Sequence, residues 1–344
     1  MIRFPGYTVA GVGMNRRSKQ RQRTDREVRS FFPPWVWMVL GGVLVAIVLA
    51  GGLWWYVTYY APRWYVTPET DELWRAFLEE REDAPFRRVE VFPGSYEACR
   101  APGVLITWGV PEGKAHAFEW GESEDTGFPE GYVRLVRDGA VPAGSVPLVV
   151  DVWMVFRRAR QERLTRGDLA AGRGRVLVAG GTPRGRWSAG VQGARFGVGG
   201  EESVRTWLDA GVWARGSETA VWEDVWARFF AEQGLWVYAP LAEAVRLGPG
   251  KVGLLEADRF PDPAEVAEYE LPVRVLWAVP VGWRNRGAVA QGRAWAGERE
   301  VQEALAMRTG LVPTVRGAEA PNPLAWRAKA AWDASTRLVV EGLH

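Results

Sequence analysis

The chain has 344 residues, 47% of them hydrophobic and 24% charged, with a formal charge of +2. A single cysteine, Cys99, excludes an intrachain disulfide framework, and two histidines, His116 and His344, are too few for a histidine-based metal or catalytic centre. The basic balance belongs to the N-terminus: residues 1–63 hold nine Lys or Arg against two Asp or Glu, so the rest of the chain carries a net −5 and offers no basic face to nucleic acid.

Residues 1–30 show no helical or strand periodicity and read as a disordered basic tail. Residues 31–61 read as a transmembrane anchor. The stretch Trp35 to Val57 has no charge, and about 20 apolar helical residues span a bilayer core. Trp35 and Trp37 at one end and Trp54, Trp55, Tyr56, Tyr59 and Tyr60 at the other match the aromatic belts of the two interfaces. Arginines before the span and few after it place the N-terminus in the cytoplasm and the body outside, a single-pass topology. The run ends Tyr-Tyr-Ala-Pro-Arg, a poor cleavage site, so an uncleaved anchor is expected, with the lipid bilayer contacted through residues 35–57.

In the body, residues 61–68 read as a link and Glu69 to Glu82 as a helix with Leu73, Trp74, Phe77 and Leu78 on one stripe. Arg88 to Phe92, Gly103 to Val110, Val146 to Phe156, Arg175 to Ala179, Leu235 to Tyr238, Val252 to Leu255 and Leu271 to Val281 read as strands. Residues 178–200 hold eight glycines without the spacing of a phosphate-binding loop, and read as a flexible loop. Helices are expected over Thr219 to Gly234, Pro240 to Leu247, Arg286 to Ala296, Glu298 to Thr309 (stopped by Gly310) and Pro323 to Glu341. Alternating strands and helices predict an α/β class with mainly parallel sheets, and about 280 residues suffice for two lobes.

The stretch Gly287 to Pro313, with Glu300-Val301-Gln302, Leu305-Ala306, Thr309-Gly310 and Val312-Pro313, resembles the C-terminal signature of bacterial extracellular solute-binding proteins. Pro147 to Phe156 followed by Asp168-Leu169, and Val237 to Asp258, are similar to other parts of that family, over roughly residues 64–320. The chain departs from it in its weak first strand (Arg63 to Thr67), its anchor, and a crossing strand that ends Phe156-Arg157 rather than Tyr-Asn. The resemblance implies an α/β, two-lobed periplasmic-binding-protein-like fold preceded by one N-terminal transmembrane helix. Lobe 1 would take residues 64–152 and 283–344 and lobe 2 residues 157–275, within a solute-binding domain of 62–344. Strands near 148–157 and 273–283 would cross between lobes. It also implies a small-molecule solute in the cleft, an ABC transporter permease as partner, and a place in the bacterial cell membrane with the body periplasmic or extracellular.

Seven residues are candidates for ligand binding. Trp108 ends a strand and offers a flat face for a sugar or apolar group. Asp151 and Trp153 lie two apart and share a strand face, and a carboxylate in an apolar run needs a partner. Trp187, with Arg184 and Arg186, sits in the glycine-rich stretch. On the family layout Tyr238 and Asp258 end two strands of the second lobe, and Trp283 follows the return strand. Each has a plain structural alternative as core, hinge or loop. No nucleophile–base pair, metal cluster or cofactor loop is visible, so neither catalysis nor a cofactor is expected. The leading expectation is a membrane-anchored receptor, with carbohydrate favoured by the 16 tryptophans of the body. The alternatives are an interaction or sensor module with a degenerate cleft, and an exported hydrolase using two carboxylates.

Overall fold

The computed structural model describes residues 33–109, 128–141, 144–172, 175–197, 202–262, 270–282 and 284–342. The chain forms two compact units, residues 1–58 and 59–344. In the first, α1 (Pro34–Tyr59) is one helix, long and apolar enough to cross a membrane. Its apolar residues are exposed all round, from Trp35 and Leu40 to Val48 and Leu53.

The body runs β1 (Arg63–Val66), α2 (Asp71–Glu79), β2 (Val89–Val91), β3 (Gly103–Thr107), α3 (Glu130–Arg137), β4 (Val146–Arg158), α4 (Arg166–Ala170), β5 (Val176–Leu177), α5 (Pro183–Arg195) and α6 (Glu202–Asp209). It continues with α7 (Trp222–Phe230), β6 (Trp236–Pro240), α8 (Leu241–Val245), α9 (Pro249–Val252), β7 (Leu255–Asp258), β8 (Glu270–Val281), α10 (Arg286–Gly297), α11 (Arg299–Thr309), β9 (Val312–Pro313), α12 (Pro323–Asp333) and β10 (Arg337–Val340). The strand order is β2-β1-β3-β8-β4-β6-β5, with β10 beside β8 and β7 and β9 beside β4.

The architecture turns on β4. Its first half, Val146 to Val152, pairs antiparallel with β8, and its second half, Trp153 to Arg158, pairs antiparallel with β6 and β7. It belongs to both sheets and is buried on both faces from Pro147 to Arg157, which is why its sequence is a near-continuous apolar run. The sheets are mixed rather than mainly parallel: β1 pairs in parallel with β2 and β3, β5 with β6, and β10 with β8, while every pairing of β4 is antiparallel.

Several local expectations are corrected. The 61–68 link contains β1, whose four residues are all buried because the strand is paired on both sides. The glycine-rich stretch is no loop: Thr182 caps a 13-residue helix by accepting from the Gly185 N–H at 3.0 Å, and Pro183 occupies its first turn. Residues 249–252 are helical, and the strand starts at Leu255. The final helix stops at Asp333, after which Arg337–Val340 joins β8 in parallel.

Several of the buried tryptophans fall into two aromatic clusters. Trp64, Trp74, Phe86 and Trp295 cluster on the first sheet, where the Trp64 indole stands 4.4 Å from Phe86 and its N–H donates to the Phe86 carbonyl at 2.9 Å. Trp153, Tyr238, Trp213, Trp207 and Phe260 form the other. Within the Glu-Val-Gln signature, buried Gln302 donates to the Pro147 carbonyl at 3.0 Å and accepts from the Thr314 N–H at 2.9 Å. That amide clips α11 and the segment after β9 to β4, satisfying backbone groups that burial would otherwise leave unpaired. Gly310 follows α11 with a left-handed φ of 72°, as expected of a C′ residue.

Candidate functional site

Each long strand of the body carries one charge inside an apolar run: Asp151 on β4 and Arg274 on β8. The register places them directly opposite one another. Cross-strand partners share one face of the ladder, but these two side chains take different partners: Asp151 binds Arg184 and Arg274 binds Glu69.

Asp151 is 2% exposed and fully engaged. Its Oδ2 accepts from Arg184 Nη2 at 3.0 Å, and its Oδ1 accepts from the Ala242 N–H at 2.9 Å, at the start of α8. Arg184, in the first turn of α5, also donates from Nε to both oxygens of Glu341, at 3.1 and 3.0 Å. Burial pulls the Arg184 guanidinium down most strongly. The charges of Asp151 and Glu341, with their hydrogen bonds, outweigh it, so the net shift is upward and the cation is locked. Glu243, one residue beyond Ala242, is buried and accepts from Arg246 Nη1 at 2.8 Å. Burial raises its pKa; Arg246 opposes the rise and Asp151 adds to it.

Gly185 positions Arg184. A Cβ at Gly185 would lie 1.9 Å from the Ala179 carbonyl oxygen, so only glycine lets the helix start this close to the end of β5. The glycine content that suggested a loop is therefore a packing requirement.

Aromatic rings flank the ion cluster. The Arg184 guanidinium stands 5.8 Å from the Trp153 ring, and Trp153 lies 6.1 Å from half-buried Trp187 and 5.4 Å from Tyr238. On the other strand, Arg274 stands 5.3 Å from the half-buried Trp108 ring and donates to Glu69 at 2.9 Å. Such charge–aromatic stacking is favourable where rings are partly desolvated.

The structure thus brings Asp151, Trp153, Trp187 and Tyr238 together, while Trp108 stacks on Arg274, the residue in register with Asp151. Trp153 and Tyr238 are fully buried, with the Tyr238 hydroxyl receiving a hydrogen bond from Gln192 at 2.7 Å, so they shape the cluster from beneath. Trp108 and Trp187 keep exposed area. Asp258 lies elsewhere: it accepts from Arg157 at 2.6 Å and pairs with Arg163 at 3.1 Å, lining a hollow of about 470 Å³ with Met154, Phe260 and Trp326. Trp283 falls outside the described residues. Sequence reasoning missed Glu69, Glu243, Arg274 and Glu341. Arg274 carried a readable signal, the same lone charge in an apolar strand that singled out Asp151.

The cluster offers carboxylate acceptors, guanidinium donors and two partly open indole faces, a combination suited to a small solute rich in hydroxyl groups. Cys99, the one thiol, is half-buried, and burial pushes its pKa up to about 12, which leaves almost no nucleophilic thiolate near neutrality.

The sequence matches no protein-family model, and no curated protein matches it. Solved structures do match. The bacterial solute receptor AcbH, described as having an exclusive preference for β-D-galactopyranose, superposes with a TM-score of 0.63 at 14% identity, over 82% of this chain and 87% of that one. The GacH receptor of Streptomyces glaucescens, solved unliganded and with acarbose, gives 0.52 at 16% identity over 83% and 88%. Clostridium botulinum thiaminase I, in complex with thiamin, gives 0.57 at 11% identity over 82% and 94%. At these identities the likeness is one of architecture: the body has the two-lobed α/β fold of bacterial periplasmic solute-binding proteins, a fold that thiaminase I shares.

Proposed function

We infer that this chain is a solute receptor held at the outer face of a bacterial cell membrane by α1, with residues 1–30 cytoplasmic and the body periplasmic or extracellular. In this reading one lobe comprises residues 64–152 and 283–344 and the other residues 157–275. A small solute, carbohydrate by preference, sits between them and is delivered to an ABC-type permease. The observation that carries the reading is the in-register Asp151–Arg274 pair on β4 and β8, flanked by the partly open Trp108 and Trp187. The fold supports it, because open α/β sheets take ligands at strand ends and crossovers. The exposed apolar surface of α1 supports the anchor. The raised thiol of Cys99 supports a binding role over thiol catalysis.

One observation favours an interaction module instead. Both oxygens of Asp151 and the Nε of Arg184 already have partners within the chain. A solute must exchange with these bonds or use the groups that remain.

Thermal unfolding of the full chain in detergent, against sugars, polyols, amino acids, peptides and anions, separates the readings. A ligand at 100 times its dissociation constant adds about 2.7 kcal/mol. A saturable rise with one chemical class, lost in Arg184→Met, establishes the receptor. A chain that stays folded, carries no co-purified ligand and responds to none of the panel is the interaction module.

A further inference from the structure

Only four of the 43 basic residues are lysines: Lys19, Lys114, Lys251 and Lys329. Where the described residues bury a cation in an ion pair they otherwise use arginine, as at Arg63, Arg157 and Arg195, whose side chains are 3%, 7% and 7% exposed. That choice suits burial, because guanidinium is weakly hydrated and keeps its proton. Lys329 is the departure. It lies on α12 with its side chain 6% exposed, and its Nζ pairs with Asp333 one turn further on. An arginine would serve a purely structural pair at least as well. What lysine adds is an amine that can lose its proton and act as a nucleophile.

The surroundings suit that chemistry. Lys329 lines a hollow of about 530 Å³ together with Ala318, Glu319, Ala320, Trp326 and Asp333, which shares Trp326 with the hollow that holds Asp258. Trp326 is 66% exposed, a flat apolar face at the rim of both hollows. The volume accommodates a one-ring or smaller molecule, and the Asp333 carboxylate paired with the amine can move its proton. Burial is the main influence lowering the Lys329 pKa. The hydrogen bond and charge of Asp333 oppose that shift, and Arg316 and Arg299 reinforce it, so the neutral amine is more accessible than in an exposed lysine.

We propose that the Lys329 amine, in the hollow beside Trp326, is a covalent capture site for a small aldehyde or ketone. The ammonium gives one proton to Asp333, and the freed nitrogen lone pair adds to the carbonyl carbon. The new C–N bond forms as the C=O π bond breaks, and a proton passes from the nitrogen to the new alkoxide oxygen, giving a carbinolamine. Its hydroxyl takes the proton held by Asp333 and leaves as water while the nitrogen lone pair forms the C=N bond, so a protonated imine remains beside the Asp333 carboxylate. One carbonyl compound enters and one water leaves, with no redox change. The site is separate from the Asp151–Arg184 cluster and stands independently of the receptor reading.

The full chain in detergent is incubated with salicylaldehyde at near-neutral pH, reduced with borohydride, and mapped by peptide mass spectrometry. Saturable labelling of Lys329, at least tenfold faster than exposed Lys251 and than Lys329 in the urea-unfolded chain, is the expected result. Lys329→Arg keeps the ion pair and abolishes the saturable imine absorbance, while Asp333→Asn slows its appearance. Because the decisive comparison is made within the unmodified chain, misfolding of a variant does not obscure it. Labelling of Lys329 no faster than in urea, or no faster than Lys251, overturns the proposal.

Discussion

Asp151 and Arg274 face each other across the β4–β8 ladder, each the single charge of its apolar stretch, and each is turned to a different set of partners. Asp151 binds Arg184 and the α8 backbone; Arg274 binds Glu69 and stacks on Trp108. Replacing Asp151 by Ala leaves Arg184 to Glu341 alone and the Ala242 N–H without its acceptor, at a cost of about 2–4 kcal/mol. Asp151→Asn keeps an acceptor for Ala242 and costs roughly 1–2 kcal/mol. Urea midpoints with an unchanged slope measure both; a wild-type midpoint for Asp151→Asn shows that the charge pair contributes nothing.

The two ends of the glycine scale are predicted to behave oppositely. Gly185→Ala drives a methyl into the Ala179 carbonyl, displaces the start of α5 and costs roughly 1–3 kcal/mol. Gly287, exposed in α10 with open space around a built Cβ, gains about 0.5–1 kcal/mol on replacement by Ala. Calorimetry on the two variants tests the pair, and a neutral Gly185→Ala contradicts the close approach.

Glu243 gives a pH dependence of defined sign. Its folded pKa is raised, so the fold favours the protonated acid. Its contribution is most favourable below the ordinary carboxylate range and is lost as pH rises through the raised value. Glu243→Gln therefore flattens the fall in melting temperature as pH rises above the ordinary carboxylate range. Parallel wild-type and variant profiles count against the shift.

Cys99 is predicted to be inert in the fold. With its pKa pushed up to about 12, a chromogenic disulfide reagent at mildly alkaline pH reacts on the order of a thousandfold more slowly than with a free thiol. Guanidinium chloride restores the ordinary rate. Fast reaction of the native chain places the thiol in water instead.

The long elements were legible because burial on two faces writes itself as an unbroken apolar run, as in Val146 to Phe156 and Leu271 to Val281. The Gln302 signature was legible as a pattern, although its purpose, clipping three segments together, shows only in three dimensions. The α5 helix was hidden because glycine disfavours helices intrinsically, and the reason for Gly185 is a carbonyl six residues upstream. The four-residue β1 was legible only as a weak first strand, because it opens on a charge, Arg63, that pairing on both sides buries. The site was half legible: a lone charge in a strand marks it, but Arg184 and Glu341 meet across 157 residues of sequence, beyond any local pattern.

Because β4 serves two sheets in one unbroken run, it tolerates changes of side chain far better than changes of length. Inserting one residue between Asp151 and Trp153 would reverse the inside and outside of everything downstream, turning Trp153 and Val155 away from the second core while Val149 kept its place in the first. Among chains that share this architecture, the count of residues along this strand should therefore drift far less than their identity. A gap placed there in an alignment is a sign of misregistration rather than of evolution.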